Sequence, residues 1–479
     1  MKNTLKQGTI YLTIASIIFI ITGYIINVIL GRLLGPVSYG SYGVIVSLIS
    51  LVNVLQTSGF TQSASKYIAE DETKAPEIFR SALIIQMIAT VSITIAFFFL
   101  APVIATILND KSLTPYIRLA AVIFPLYGYY ALLIDYNNGL HNFKKQALLN
   151  TIYSITKTVG VLSLAFLYQL KGVIFGLILA PLLPILNGFY FPKKVRFHFP
   201  YKKLIFFSLP LIGYIIFSTL QQTVDLYFVK AMTGGKEPGF YTASQNISRL
   251  IYFATIAVSS VLLPAVSRYV RQKAYAQAKV TIFKALRVTL LLVAPSVVLI
   301  SATSNQLVTL IYSHEYIDAG PALALLVFGY ASFTFYSILC AILNGAGRPV
   351  LSFVLSVVGV TVNALACYYL IPTQQLQGAA LANFIGNFSV TLVASLIVYK
   401  LFAVSLFSLN SLKIVAASVL IFFLAKLLPV PLLLLPILYI ALFGIYFSLL
   451  LFMKEITNDD ITLVKSLIPN FSKYKKQHD

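Results

Sequence analysis

Tryptophan is absent from this 479-residue chain, and cysteine occurs twice, at Cys340 and Cys367. Both cysteines fall in apolar stretches and no external pair exists, so no disulfide framework is implied. Without Trp, any aromatic belt at a membrane surface must come from the 30 Tyr. Charge is scarce as well. Asp, Glu, Lys and Arg make up 10% of the residues, where a soluble domain carries ~25%. Acid is the scarcer sign, with 14 Asp and Glu against 35 Lys and Arg. The histidines, His141, His198, His314 and His478, are scattered. No Ser-His-Asp set, metal cluster or P-loop stands out. A membrane glycosyltransferase or ligase would need catalytic acids on a large external loop. The connections here hold only Asp110, Glu237, Glu315 and Asp318, with no DxD pair. The chain is therefore not expected to be an enzyme, and no cofactor is implied.

What is abundant is apolar material: 59% of residues, with a mean hydropathy of +0.88. It falls into segments near 20 residues long, the length that crosses ~30 Å of hydrocarbon as a helix. A barrel would need alternating strands of ~10 residues, and these do not dominate. The expectation is an all-α polytopic membrane protein with about fourteen spans: 9–31, 41–62, 81–108, 116–138, 146–168, 171–191, 204–230, 240–266, 284–311, 319–344, 349–371, 378–400, 411–428 and 430–453. With the N-terminus inside, cytoplasmic segments hold 26 of the 35 Lys and Arg, external segments seven, and two lie within spans. This positive-inside bias places both termini in the cytoplasm. It also accounts for the net charge of +21 without nucleic acid. The basic groups 193–203 and 267–279 serve either topology alone or contact with anionic lipid and diphosphate headgroups.

Internal similarity divides the chain. "GPVSYGSYGVIVSLISL" (35–51) aligns with "GGKEPGFYTASQNISRL" (234–250), matching Gly35/Gly234, Gly40/Gly239, Tyr42/Tyr241 and Leu51/Leu250. "ASKYIA" (64–69) aligns with "VSRYVR" (266–271). Tyr130/Tyr336, Leu133/Leu339, Asn138/Asn344 and Gly139/Gly345 match at an offset of 206. The offsets span six helices, an even number, so the repeat is parallel. The expected organisation is a six-helix lobe over 1–200, a second over 201–405, two extra helices over 406–455 and a basic tail over 456–479. In such repeats the substrate site lies between lobes near the midplane, and access alternates by rocking.

"GRLLGPVSYGSYGVIVSLISLV" (31–52) and "GFTQSASKYIAE" (59–70) resemble the signature of Wzx-type polysaccharide flippases of the multidrug/oligosaccharidyl-lipid/polysaccharide exporter superfamily. "DLYFVKAMTGGKEPGFYTASQNISRL" (225–250), "VLLPAVSRY" (261–269) and "LNGAGRP" (343–349) resemble the second-lobe counterparts. The resemblance covers the first twelve spans. It implies passage of a lipid-diphosphate-linked oligosaccharide from the inner to the outer leaflet of the cell membrane. It also implies association with membrane lipids and polysaccharide polymerase machinery, and leaves Na⁺ or proton antiport open. The peptidoglycan-precursor flippases share the fourteen-helix architecture, but carry extra cavity cations and an Arg-Asp pair on the first helix. Here the first span offers only Asn27, and the second Asn53 and Gln56. A cation-coupled multidrug exporter of the same superfamily is the alternative, followed by an assembly scaffold.

Four ionisable residues fall within spans: Asp135, Lys157, Asp225 and Arg249. Each costs ~2.5–3.5 kcal/mol on insertion scales and is a functional candidate by default. At 1.5 Å per residue, Lys157 lies roughly 17 Å from one end of its span and Arg249 roughly 14 Å from the other. Two cations near the midplane suit an anionic cargo such as a diphosphate and argue against cationic drugs. A structural pair with a carboxylate is the plainer reading of each. Gln245 and Asn246, about one turn from Arg249, extend a polar wall or act as interhelical glue. Asp225 has three readings: a counter-ion for Lys230 or Arg249, a Na⁺ or proton site, or an interfacial side chain. The resemblance to the peptidoglycan-precursor flippases implies oxygen ligands on the eleventh and twelfth spans, where Thr361, Asn363, Asn383, Asn387 and Thr391 stand. Asp225, Asn363 and Thr391 form the expected coupling-ion set, with no other metal. Asp135, near the end of its span, reads as an interfacial anchor.

Overall fold

The computed structural model describes residues 2–192, 200–404, 409–428, 430–453 and 455. The tail expected at 456–479 lies outside the described residues, as does most of the basic group at 193–203. Among the described residues the structure is helix and short 3-10 turns, without strands. The backbone explains this. In hydrocarbon every N–H and C=O must bond internally, which a helix does within one segment.

The chain packs as two compact units, Met1–Thr242 and Ala243–Asp479. The first contains α1 (Lys2–Ser58), α2 (Phe60–Glu70), α3 (Ala75–Ile107), α4 (Thr114–Ala121), α5 (Ile123–Gly139), α6 (Phe143–Leu179), α7 (Leu182–Gly188), α8 (Tyr201–Gln221) and α9 (Val224–Met232). Helix α10 (Glu237–Arg271) runs across the boundary. The second unit continues with α11 (Tyr275–Ala302), α12 (Ser304–Ile311), α13 (Gly320–Gly345), α14 (Pro349–Phe402), α15 (Leu409–Leu427) and α16 (Leu435–Phe452).

Eight stretches among the described residues are long and apolar enough to cross a membrane. Three of them contain a break. Within α1 the chain turns at Gly35, φ +69°, just before Pro36. Within α6 it turns at Tyr168–Gln169, and within α14 at Gln375. Gln169 and Gln375 have φ of +51° and +48° with strongly negative ψ, a strained conformation for a residue with a side chain. The same chain reversal follows each. Gly172 lies against the Leu164 carbonyl, where an added Cβ would stand 1.8 Å from the oxygen, and Gly378 lies likewise against Leu370 at 2.3 Å. Only glycine fits at either place. The expected seventh span, 204–230, is also divided. It ends as α8 at Gln221 and restarts as α9 at Val224.

In the first unit the buried core joins α2, α3, α5 and α6 through Ile68, Ile78, Phe79, Leu132, Leu133 and Leu149. In the second, α13 is the most enclosed span and packs along both halves of α14. Helices α15 and α16 fasten to α11 through Leu291, Leu299, Ile414, Ile421, Leu442 and Tyr446. Glu455 adds a charged clasp. Its carboxylate lies 2.7 Å from Lys413 and 3.4 Å from Arg287 and is 3% exposed.

Candidate functional site

In the second unit, α10 presents its polar face to α13. Ser244 donates to the Ala319 carbonyl at 2.9 Å. One turn on, the Arg249 Nε–H donates to the hydroxyl of Tyr330, 3.2 Å away and 1% exposed. Arg249 is half-buried, Gln245 is buried and Asn246 is half-buried. The hydroxyl occupies one edge of the guanidinium. A guanidinium has five donors in a planar fork, and this contact fixes the direction of one of them.

A second polar seam joins α13 to α14. Asn383, Asn387 and Thr391 recur every four residues and so share one helix face. Asn387 donates to Asn383 Oδ1 at 2.9 Å. Thr391 donates to the carbonyls of Asn387 at 2.7 Å and Ser332 at 2.8 Å. Asn363, on the other half of α14, is fully buried against Gly386. Its Oδ1 accepts from the Cys367 thiol at 3.4 Å, while its Nδ2 has no hydrogen-bond partner. An unsatisfied buried amide costs about 1–3 kcal/mol. Such a group either waits for a partner or turns its oxygen inward. Thr361 faces outward and bonds only to its own helix at Val357. Among the described residues no cluster of three His, Cys, Asp or Glu exists. Neutral amide and hydroxyl oxygens suit a hard monovalent cation better than a transition metal.

In the first unit, Lys157 lies on α6 with its ammonium 5.3 Å from the centre of the Phe19 ring of α1. No carboxylate among the described residues pairs with it. One and two turns earlier on the same face are Tyr153 and Asn150. Tyr130 stacks on Tyr153 at 4.7 Å and donates to Asn150 at 2.7 Å. Asp225 opens α9 and is fully buried. It accepts from the Tyr241 hydroxyl at 2.6 Å and from the Leu226 N–H at 2.9 Å. Lys230, considered above as its counter-ion, instead places its ammonium 2.7 Å from Asp110. Asp135 is half-buried near the end of α5.

The structure thus groups Arg249 with Gln245 and Asn246 on one helix, and Asn363 with Thr391 on α14. Lys157 and Asp225 belong to the first unit. Sequence reasoning missed two partners. Tyr330 is one tyrosine inside an apolar span, and Asp110 one acid in a short connection. Neither carries a pattern; only the fold brings a charge to each.

Comparison with known proteins adds the lineage. The model of the polysaccharide biosynthesis protein family matches residues 5–270, more than half of the chain. The chain belongs to the polysaccharide biosynthesis protein family. A MatE model matches residues 210–369. Among the relatives of this family member, stage V sporulation protein B of Bacillus subtilis (strain 168) is 26% identical over 447 residues, covering 85% of each chain. The family member's fold is that of the lipid II flippase MurJ in an inward closed conformation, with TM-score 0.78, 17% identity, and 93% and 99% of the two chains covered. It also matches an inward-facing multidrug resistance MATE family transporter of the MOP superfamily, with TM-score 0.67, 17% identity, and 79% and 94% covered. This polysaccharide biosynthesis family protein is a multi-pass membrane protein of the transporter fold that the sequence motifs resemble.

Proposed function

We propose that the protein moves a lipid-diphosphate-linked oligosaccharide from the cytoplasmic to the outer leaflet by alternating access. The observation that carries this reading is the polysaccharide biosynthesis family match over residues 5–270. The fold shared with a lipid II flippase supports a lipid-linked cargo. Arg249, oriented by Tyr330 through its Nε, is the candidate partner of diphosphate or acidic-sugar oxygens, which suit a guanidinium fork. Gln245 and Asn246 supply hydrogen bonds to sugar hydroxyls. Lys157, whose recorded contact is an aromatic ring rather than an acid, is a second anion-binding cation. Asp225, Asn363 and Thr391 are the candidate ligands of a driving Na⁺ or proton. Flipping needs no covalent step, so none of these residues acts as an enzyme's catalyst. Polymerase machinery would take the product on the outer side.

The MatE match over 210–369 favours a second reading, cation-coupled drug export. Deleting the gene in its own host and extracting the lipid-linked glycans separates the two. Accumulation of an oligosaccharide-lipid shielded from an impermeant sugar-modifying reagent is expected and would name the cargo. Unchanged glycan lipids with reduced dye efflux would replace the flippase by the exporter.

A further inference from the structure

Helix α9 is a nine-residue rod between two joints. Upstream, Gln222–Thr223 separates it from α8, with Thr223 at φ −135°, ψ −15°. Downstream, Gly234 and Gly235 both take left-handed φ, +70° and +59°, a reversal that glycine makes at no steric cost. The rod is bolted near both ends by charge. In its first turn Asp225 binds Tyr241 of α10, and in its last turn Lys230 binds Asp110 in the α3–α4 connection. Lys230 is 6% exposed, so its ammonium needs a partner. Asp110 is fixed in direction, because its carboxylate also accepts from the Ser112 N–H at 3.0 Å and from the Ser112 hydroxyl. It is 24% exposed, so water can take over its solvation if the pair parts.

A second contact holds α10, and it has no charge in it. Residues 36–43 of α1 meet residues 238–242 of α10 almost backbone to backbone. A Cβ on Gly239 would stand 1.9 Å from the Pro36 carbonyl oxygen, and one on Gly43 would stand 2.2 Å from the Thr242 hydroxyl. These segments are the two copies of the glycine motif. Close packing of small residues holds helices by dispersion and is undirected. The ion pair supplies the directed part.

We propose that Asp110 and Lys230 form a latch on this seal: their ion pair pins α9 and must part before residues 36–43 and 238–242 can separate. The sequence topology puts both residues at the external end, where cargo would leave. The proposal rests on the alternating-access reading, but its readout needs no cargo.

The test uses the full chain in cells, with Cys340→Ala, Cys367→Ala and a reporter Thr242→Cys at the seal. A membrane-impermeant maleimide added outside reads how often the seal opens. Asp110→Asn and Lys230→Met are each expected to raise the labelling rate about tenfold, a coupling of ordinary size. The charge swap Asp110→Lys with Lys230→Asp should return it to within about twofold of the parent. Burial pushes the Asp110 carboxyl up, but Lys230 and Ser112 more than offset this and hold it below 3.8. The group facing it from α9 is Lys230, with Lys111 and Ser112 on its own turn. Stability from such a depressed carboxyl is present above its ordinary value and lost as pH falls through the lowered one. Maleimide attacks the thiolate, whose fraction itself rises with pH, so the rate is divided by that of an exposed reference cysteine. The ratio for the parent should then be flat from about pH 5 to about pH 8. Unchanged labelling in both single variants, with melting temperatures equal to the parent's, overturns the latch. So does a rise that the swap fails to reverse, since packing rather than charge would then be at work. Should Asp110→Asn not fold, Asp110→Glu replaces it, with an expected rise of about threefold. Loss of glycan-lipid accumulation in the deletion strain would sink the cargo assignment and leave the latch standing.

Discussion

A charge inside a membrane segment is defined by what stands next to it. Arg249 stands beside a phenol, not a carboxylate, at the one contact resolved for its Nε, 3.2 Å from Tyr330. That contact orients the guanidinium. Arg249→Ala should lower transport by about 100-fold or more, since a bidentate anchor disappears. Arg249→Lys should retain charge but lose the fork and fall about tenfold. Tyr330→Phe removes one orienting bond worth about 1 kcal/mol and should cost about fivefold. Flipping of the accumulated glycan lipid in proteoliposomes measures all three; an active Arg249→Ala would remove this residue from the mechanism. The sequence exposed Arg249 because an arginine among apolar residues is conspicuous. It concealed Tyr330, because a tyrosine there is ordinary until an arginine is folded against it. Lys230 shows the same limit from the other side. Asp225 is five residues away along the chain, yet the ammonium turns to Asp110, 120 residues away, across a fold no local pattern encodes.

At the scale of elements, the sequence spoke clearly where hydrophobic length was the signal and poorly where helices break. Gly35-Pro36 announced a break through residue type, and α1 turns there. Gln169 and Gln375 announced nothing, because glutamine is a good helix former. Nor did residues 221–224 reveal that the seventh span is two helices. The glycine motif was legible as a repeat, but its use was not. Gly40 and Gly239, which match in the alignment, pack on each other: a Cβ on Gly40 would stand 2.6 Å from the Gly239 nitrogen. Gly239→Val should therefore wedge α1 from α10, lowering the melting temperature of the detergent-solubilised protein by about 10 °C or abolishing folding. Gly23→Ala is the control. An added Cβ there meets nothing within 4 Å, and alanine gains about 1 kcal/mol in a helix interior. Equal melting temperatures for the two variants would refute the packing argument.

For the whole molecule, composition and segment length together pointed to helices in a membrane. Only helices and closed barrels satisfy their backbone groups without water, and the apolar segments have helix length rather than the ~10-residue alternation of barrel strands. The last two helices were legible as spans, but not as parts of the second unit. Their attachment combines the α11–α15–α16 apolar cluster with the buried Glu455, which accepts from both Arg287 and Lys413. Glu455→Gln removes the buried carboxylate that Arg287 and Lys413 share, a loss of about 3 kcal/mol. It should lower the melting temperature by about 5 °C. Lys413→Ala removes a half-exposed partner and should lower it by under about 2 °C. If the two shifts are equal, Arg287 is not the partner that matters.

The two strained glutamines also bear on ancestry. Gln169 and Gln375 stand 206 residues apart, the same offset that relates Tyr130 to Tyr336. Leu164 with Leu370, and Gly172 with Gly378, keep that spacing. Glycine would relieve both turns, yet each copy has glutamine at the strained position and glycine three residues later. One ancestral six-helix gene that already carried this awkward turn, duplicated in tandem, accounts for both.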